Sequence, residues 1–134
     1  MRVKRAALYL VATAVLFSVA VFVILQAHER SCYRNTIYST KFSEASFTRI
    51  TSGMPRSAVI EALGTPIVTS INGAYPLWAL QDQQTRSRYT GRESIPLEFL
   101  MFSQPKNSSK DFHWVHVSVG PDDLVVATSS YITD

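Results

Sequence analysis

The sequence predicts an α+β protein: an N-terminal transmembrane helix, then a two-layer domain of two short helices packed on an antiparallel β-meander. Three observations predict it. An uncharged apolar run from Ala6 to Ala27 follows a basic N-terminus. A short helical stripe lies between Pro55 and the Gly64-Thr65-Pro66 stop. From Pro66 to Ile132 the chain forms β-rich runs separated by polar and Gly/Pro-containing turns. Helices followed by a run of strands make an α+β layer pair.

The apolar run comes first. The chain has 134 residues, enough for one small domain and an anchor. Only 17% of them are charged, below the roughly 25% of soluble domains, so a membrane segment is expected. Ala6 to Ala27 contains no charge, Pro or Gly. As a helix it spans ~33 Å, against a hydrocarbon core of about 30 Å. Residues 1–5 carry Arg2, Lys4 and Arg5 and should remain cytoplasmic by the positive-inside rule, with everything beyond Ala27 carried across. A cleaved signal would have a shorter apolar core and small residues at its end, whereas Leu25-Gln26-Ala27 places a Leu where a small residue is needed. A lipoprotein signal ending at Cys32 lacks the required Leu and small residues in Glu29-Arg30-Ser31. The segment therefore reads as an uncleaved single-pass anchor.

Residues 28–42 read as a linker. It holds the chain's one cysteine, Cys32, so no internal disulfide forms. Two readings of Cys32 stand: an intermolecular disulfide that would make a homodimer, or a free thiol shielded by the membrane surface. Residues 43–134 form the domain. Ser43 to Thr51 is a short helix with Phe47 and Ile50 on one face, ended by Ser52-Gly53. In the next helix Pro55 suits the first position, Val59, Ile60 and Leu63 make the stripe, Gly64 caps and Pro66 stops it. A helix this short is unstable alone and must pack its stripe on a sheet.

The strands follow. Pro66–Ile71 and Ala74–Leu80 read as a hairpin around Asn72-Gly73. Gln81–Ser94, with Arg86, Arg88 and Arg92, reads as a long exposed loop. Pro96–Phe102 is a strand and Ser103–Lys110 a polar turn. In Phe112–Val119, Val115, Val117 and Val119 point one way and Phe112, Trp114 and His116 the other. Gly120-Pro121-Asp122-Asp123 turns the chain into Leu124–Ile132. One sheet face should carry the helices, and the other should show Trp114 and Tyr131.

Phe47, Gly53-Met54, Val59 and Leu63-Gly64-Thr65-Pro66 together resemble the start of the BamE-like (SmpA/OmlA) domain. Trp78 matches a strand aromatic of that family, and Val115–Val126 its final hairpin. The resemblance covers about Phe47 to Ile132. It implies an envelope protein of Gram-negative bacteria that binds protein, on a related fold also used by proteinaceous β-lactamase inhibitors. Assembly factors of that family are outer-membrane lipoproteins. With an uncleaved anchor in its place, this chain is expected in the bacterial inner membrane with its domain in the periplasm.

The residues offer little for chemistry. From His28 onward ten Lys/Arg balance ten Asp/Glu, which leaves no broad footprint for nucleic acid. His113 and His116 fall on opposite strand faces, and no thiolate-rich or His-x-x-x-His site exists, so neither metal nor cofactor is expected. There is no Gly-x-Ser-x-Gly elbow and no Gly-rich phosphate loop. Asp122-Asp123 reads as turn chemistry. The expectation is a non-enzymatic, membrane-anchored interaction module, an accessory or scaffold subunit of an envelope complex. Arg86, Arg88, Arg92, Trp114 and Tyr131 are its candidate contacts with an envelope protein of unknown identity. The alternative is a small periplasmic hydrolase or ligand-binding domain, which would need a concave pocket with convergent polar groups.

Overall fold

The computed structural model describes residues 2–133, with side chains from Ala6 onward. The side chains of Arg2, Lys4 and Arg5 lie outside that description. Helix α1 runs from Arg2 to Arg34 without a break. It is long and apolar enough to cross a membrane. The segment read as a linker is instead structured: α1 continues to Arg34, and Thr36–Tyr38 forms strand β1. The reason is tertiary. Cys32 is buried, and the Thr36 hydroxyl donates to the Cys32 carbonyl at 2.7 Å, closing the last turn.

Ser43 caps helix α2 (Glu44–Phe47), accepting from Ser46 N at 3.1 Å. The helix is shorter than the span 43–51 predicts, but Phe47 and Ile50 are both buried as expected. Pro55 precedes helix α3 (Arg56–Leu63) as its N-cap, one position before the expected first turn. Val59 and Leu63 are fully buried and Ile60 half-buried. Gly64 ends α3 at φ +84°, where an added Cβ would also come within 3.2 Å of Lys41 N.

Four strands make the main antiparallel sheet in the order β2 (Val68–Pro76), β3 (Ser94–Met101), β5 (His113–Val119), β6 (Val125–Ile132). Strand β4 (Ser103–Pro105) leaves that sheet and pairs with β1. The Asn72-Gly73 hairpin does not form. Strand β2 runs straight through it and pairs with β3. Gly73 lacks the positive φ that a two-residue turn requires, and Asn72 Oδ1 accepts instead from Ala74 N at 3.2 Å. Asn72 pairs with Leu97 and Tyr75 with Ile95, so Gly73 and Ala74 together face Pro96. That bulge interrupts the ladder where proline has no N–H to give.

Residues 77–93 are not a bare loop. A 3₁₀ turn spans Leu77–Ala79, and helix α4 covers Gln83–Ser87. Asp82 caps α4, accepting from Thr85 N at 2.9 Å and Gln84 N at 3.2 Å. Leu80, Thr85 and Tyr89 turn inward and are buried. The sheet consequently has apolar clusters on both faces. On the first, Phe47, Ile50, Val59 and Leu63 meet Leu100, Phe102, Val115, Val117, Val119 and Val125. On the second, Leu80 and Tyr89 meet Ile95, Leu97 and Val126, bordered by Phe99.

Candidate functional site

The second sheet face is only partly covered. Leu80 and Tyr89 of the 77–93 insertion close it over Ile95, Leu97 and Val126. Toward the start of β5 and the end of β6 a row of rings remains. Trp114 and Tyr131 are directly opposite in the β5–β6 ladder, with ring centroids 6.3 Å apart and planes at 31°. Phe112 meets Trp114 edge-on at 5.3 Å. Trp114 Nε1 donates to His116 Nδ1 at 2.9 Å, and His116 meets Phe99 edge-on at 5.6 Å.

The strand alternation that buries Val115 and Val117 under the helices puts this row on the opposite side. Tyr131 is 51% exposed, Trp114, His116 and Phe99 are half-buried, and Phe112 is buried. Burial lowers the His116 pKa. The ring is therefore neutral at pH 7, accepts from Trp114 through Nδ1, and carries its proton on Nε2. An open groove adjoins the row, lined in part by Tyr75, Leu80, Asp82, Val126 and Ser129. Ser129, which lines the groove, stands opposite His116 of the row in the β5–β6 ladder.

The three arginines are placed differently. Arg88 turns toward the sheet: Nη2 donates to Val125 O at 3.1 Å and to Tyr89 Oη at 3.2 Å, and Nε lies 3.4 Å from Asp122 Oδ2. Arg86 is half-buried on α4, and Arg92 is exposed. Arg88 and Arg92 line one shallow depression with Tyr89 and Asp122, and Arg86 is not part of it. Trp78 is 80% exposed because the Leu77–Ala79 turn lifts it off the sheet. It stands beside Arg92 and Glu93, a placement that strand alternation does not suggest.

Cys32 is 0% exposed, with Sγ 3.7 Å from His28 Nε2. It is covered by the domain rather than by a membrane surface alone, and a bond to a second chain would require the end of α1 to come away. His113 and His116 do point to opposite faces. His113 is 2% exposed on the helix-bearing side, within hydrogen-bond distance of Tyr38 Oη (2.7 Å) and Ser130 Oγ (2.6 Å). Among the described residues no three His, Cys, Asp or Glu side chains converge as metal ligands. No protein-family model and no curated protein matches the chain.

Proposed function

We propose that this chain is a single-pass inner-membrane protein of a bacterial envelope whose periplasmic domain is a protein-interaction module, an accessory or scaffold subunit of an envelope complex. The observation that carries the reading is the Trp114–Tyr131 pair: two large aromatics side by side on a sheet face that the insertion leaves uncovered. Aromatic residues are enriched in interface cores, where they bury much area with few rotatable bonds. The length and apolarity of α1 support the anchor. The likeness of Phe47–Pro66 to the BamE-like motif supports an envelope location and binding rather than turnover.

Affinity purification of the full chain from detergent-extracted membranes tests the reading. Tyr131→Ala should reduce recovery of the co-purifying protein while leaving the melting temperature of the chain almost unchanged, since half of this side chain is in solvent. Unchanged recovery with both Tyr131→Ala and Trp114→Ala removes the face from the reading. The groove beside Val126–Ser129 favours the second reading, a small-ligand or hydrolytic site. In that case the two variants would alter ligand binding and leave protein recovery intact.

A further inference from the structure

A nucleophile and a base stand together on the other face of the sheet, at the end where α1 joins the domain. Ser130 Oγ lies 2.6 Å from His113 Nε2. Ser130 is exposed on the edge strand β6, whereas His113 is 2% exposed. The register explains the meeting. Ser130 is opposite Val115, so its side chain is diagonal to that of His113, two residues earlier on the same face.

The imidazole is held on every side. Nδ1 is 2.7 Å from Tyr38 Oη and 3.7 Å from Glu44 Oε1. The main-chain N–H of His113 donates to Thr36 Oγ1 at 2.8 Å. The rings of Tyr33 and Tyr38 flank it with centroids at 4.7 and 5.7 Å. The Glu44 carboxylate favours the tautomer with its proton on Nδ1, where Tyr38 Oη accepts it. Nε2 is then the acceptor for the Ser130 hydroxyl. Burial lowers the His113 pKa, opposed by Glu44 and then Glu29, so the ring is unprotonated at Nε2 near pH 7. A serine within hydrogen-bond reach of a base that a third group orients is the arrangement that activates a hydroxyl.

We propose that Ser130 is an acyl acceptor, with His113 as its general base and Glu44 and Tyr38 as positioning residues, and that its reaction partner is an activated ester. In the step, Oγ bonds to the carbonyl carbon and its proton passes to Nε2. The ester C–O bond breaks, and the departing oxygen takes the proton from Nε2. The products are acyl-Ser130 and the free alcohol. The site is independent of the Trp114–Tyr131 face, since Ser130 and His113 project from the opposite side of the sheet.

The test uses the full chain in detergent micelles with two probes, p-nitrophenyl acetate and an alkyl fluorophosphonate, read by intact mass and peptide mapping. One adduct is expected, on Ser130, with a labelling rate that rises with pH as His113 loses its proton. Ser130→Ala should abolish it, and His113→Gln should slow it ~100-fold, the lower range of general-base contributions. Glu44→Gln, on a side chain 55% exposed, should slow labelling several-fold with an unchanged circular dichroism spectrum. The proposal falls if the folded protein gives no Ser130 adduct, or labels Ser129 equally. It also falls if a folded His113→Gln reacts at the wild-type rate. Should His113→Gln fail to fold, the positioning residues decide: wild-type labelling rates in both folded Glu44→Gln and folded Tyr38→Phe overturn it.

Discussion

Arg88 reaches from the insertion between β2 and β3 to the carbonyl of Val125 at 3.1 Å, the same oxygen that accepts the Gly53 N–H at 2.8 Å. Val125 N donates in turn to Met54 O at 2.8 Å. One residue at the start of β6 thus ties together the insertion and the segment that leads into α3. The arrangement makes Arg88 a brace. Arg88→Ala should cost about 1–3 kcal/mol, because Asp122 and the Val125 carbonyl each lose a partly buried partner. Urea denaturation measures it. A loss no larger than that of Arg92→Ala, on an exposed side chain, would contradict the brace.

Leu63 is fully buried between α3 and the sheet. Leu63→Ala should cost about 2–5 kcal/mol through lost burial and a residual cavity. Chemical denaturation decides, and a change under about 1 kcal/mol would mean that the α3 stripe does not form the core.

Gly64 combines a positive φ with a close approach to Lys41. Gly64→Ala should destabilise by roughly 1–3 kcal/mol, from backbone strain and the contact with Lys41 N. A neutral or stabilising substitution, read as an unchanged or raised melting temperature, would show that α3 can end another way.

The pH dependence has a definite sign. His113 and His116 both have folded-state pKa values lowered by burial below the ordinary 6.5. The unfolded chain binds these protons more readily, so stability is fully present above about pH 6.5 and is lost as the pH falls through the folded-state values. Unfolding free energy measured from pH 5 to 8 should rise with pH, and the slope should flatten in His116→Gln. A free energy that falls with pH over this range would reverse the assignment.

Cys32 should react slowly with a membrane-permeant thiol reagent in the folded chain and rapidly in denaturant, since it is 0% exposed. Non-reducing electrophoresis of the oxidised protein should show a monomer band. A prominent disulfide-linked dimer from folded protein would show that the end of α1 separates from the domain.

What the sequence made legible follows from the range of the forces involved. Both ends of α3 could be read because Pro55 and Gly64 act on their own backbone. The burial of Val115, Val117 and Val119 could be read because alternation is intrinsic to a strand. Asn72-Gly73 misled because its turn preference is local, whereas the choice of β3 as partner is not, and the bulge opposite Pro96 made that choice feasible. Residues 81–94 look polar because just two of their side chains, Thr85 and Tyr89, are buried, docking the insertion together with the preceding Leu80. The helical continuation past Ala27 depends on the docking of Cys32 and Thr36. Trp114 and Tyr131 could be foreseen on one face from alternation in each strand. The meeting of Ser130 with His113 could not, since it is set by the β5–β6 register. Nor could the inward turn of Arg88, which depends on where the insertion folds back.

The reading of the Trp114–Tyr131 face as a protein-binding surface is tested most directly by photocrosslinking in native membranes. A benzophenone amino acid replaces Tyr131 in one version of the full chain and Glu61, exposed on α3, in another. The account predicts a discrete protein adduct from position 131, lost when Trp114→Ala is added, and none of that mass from position 61. Equal adducts from both positions, or no protein adduct from position 131, would contradict it.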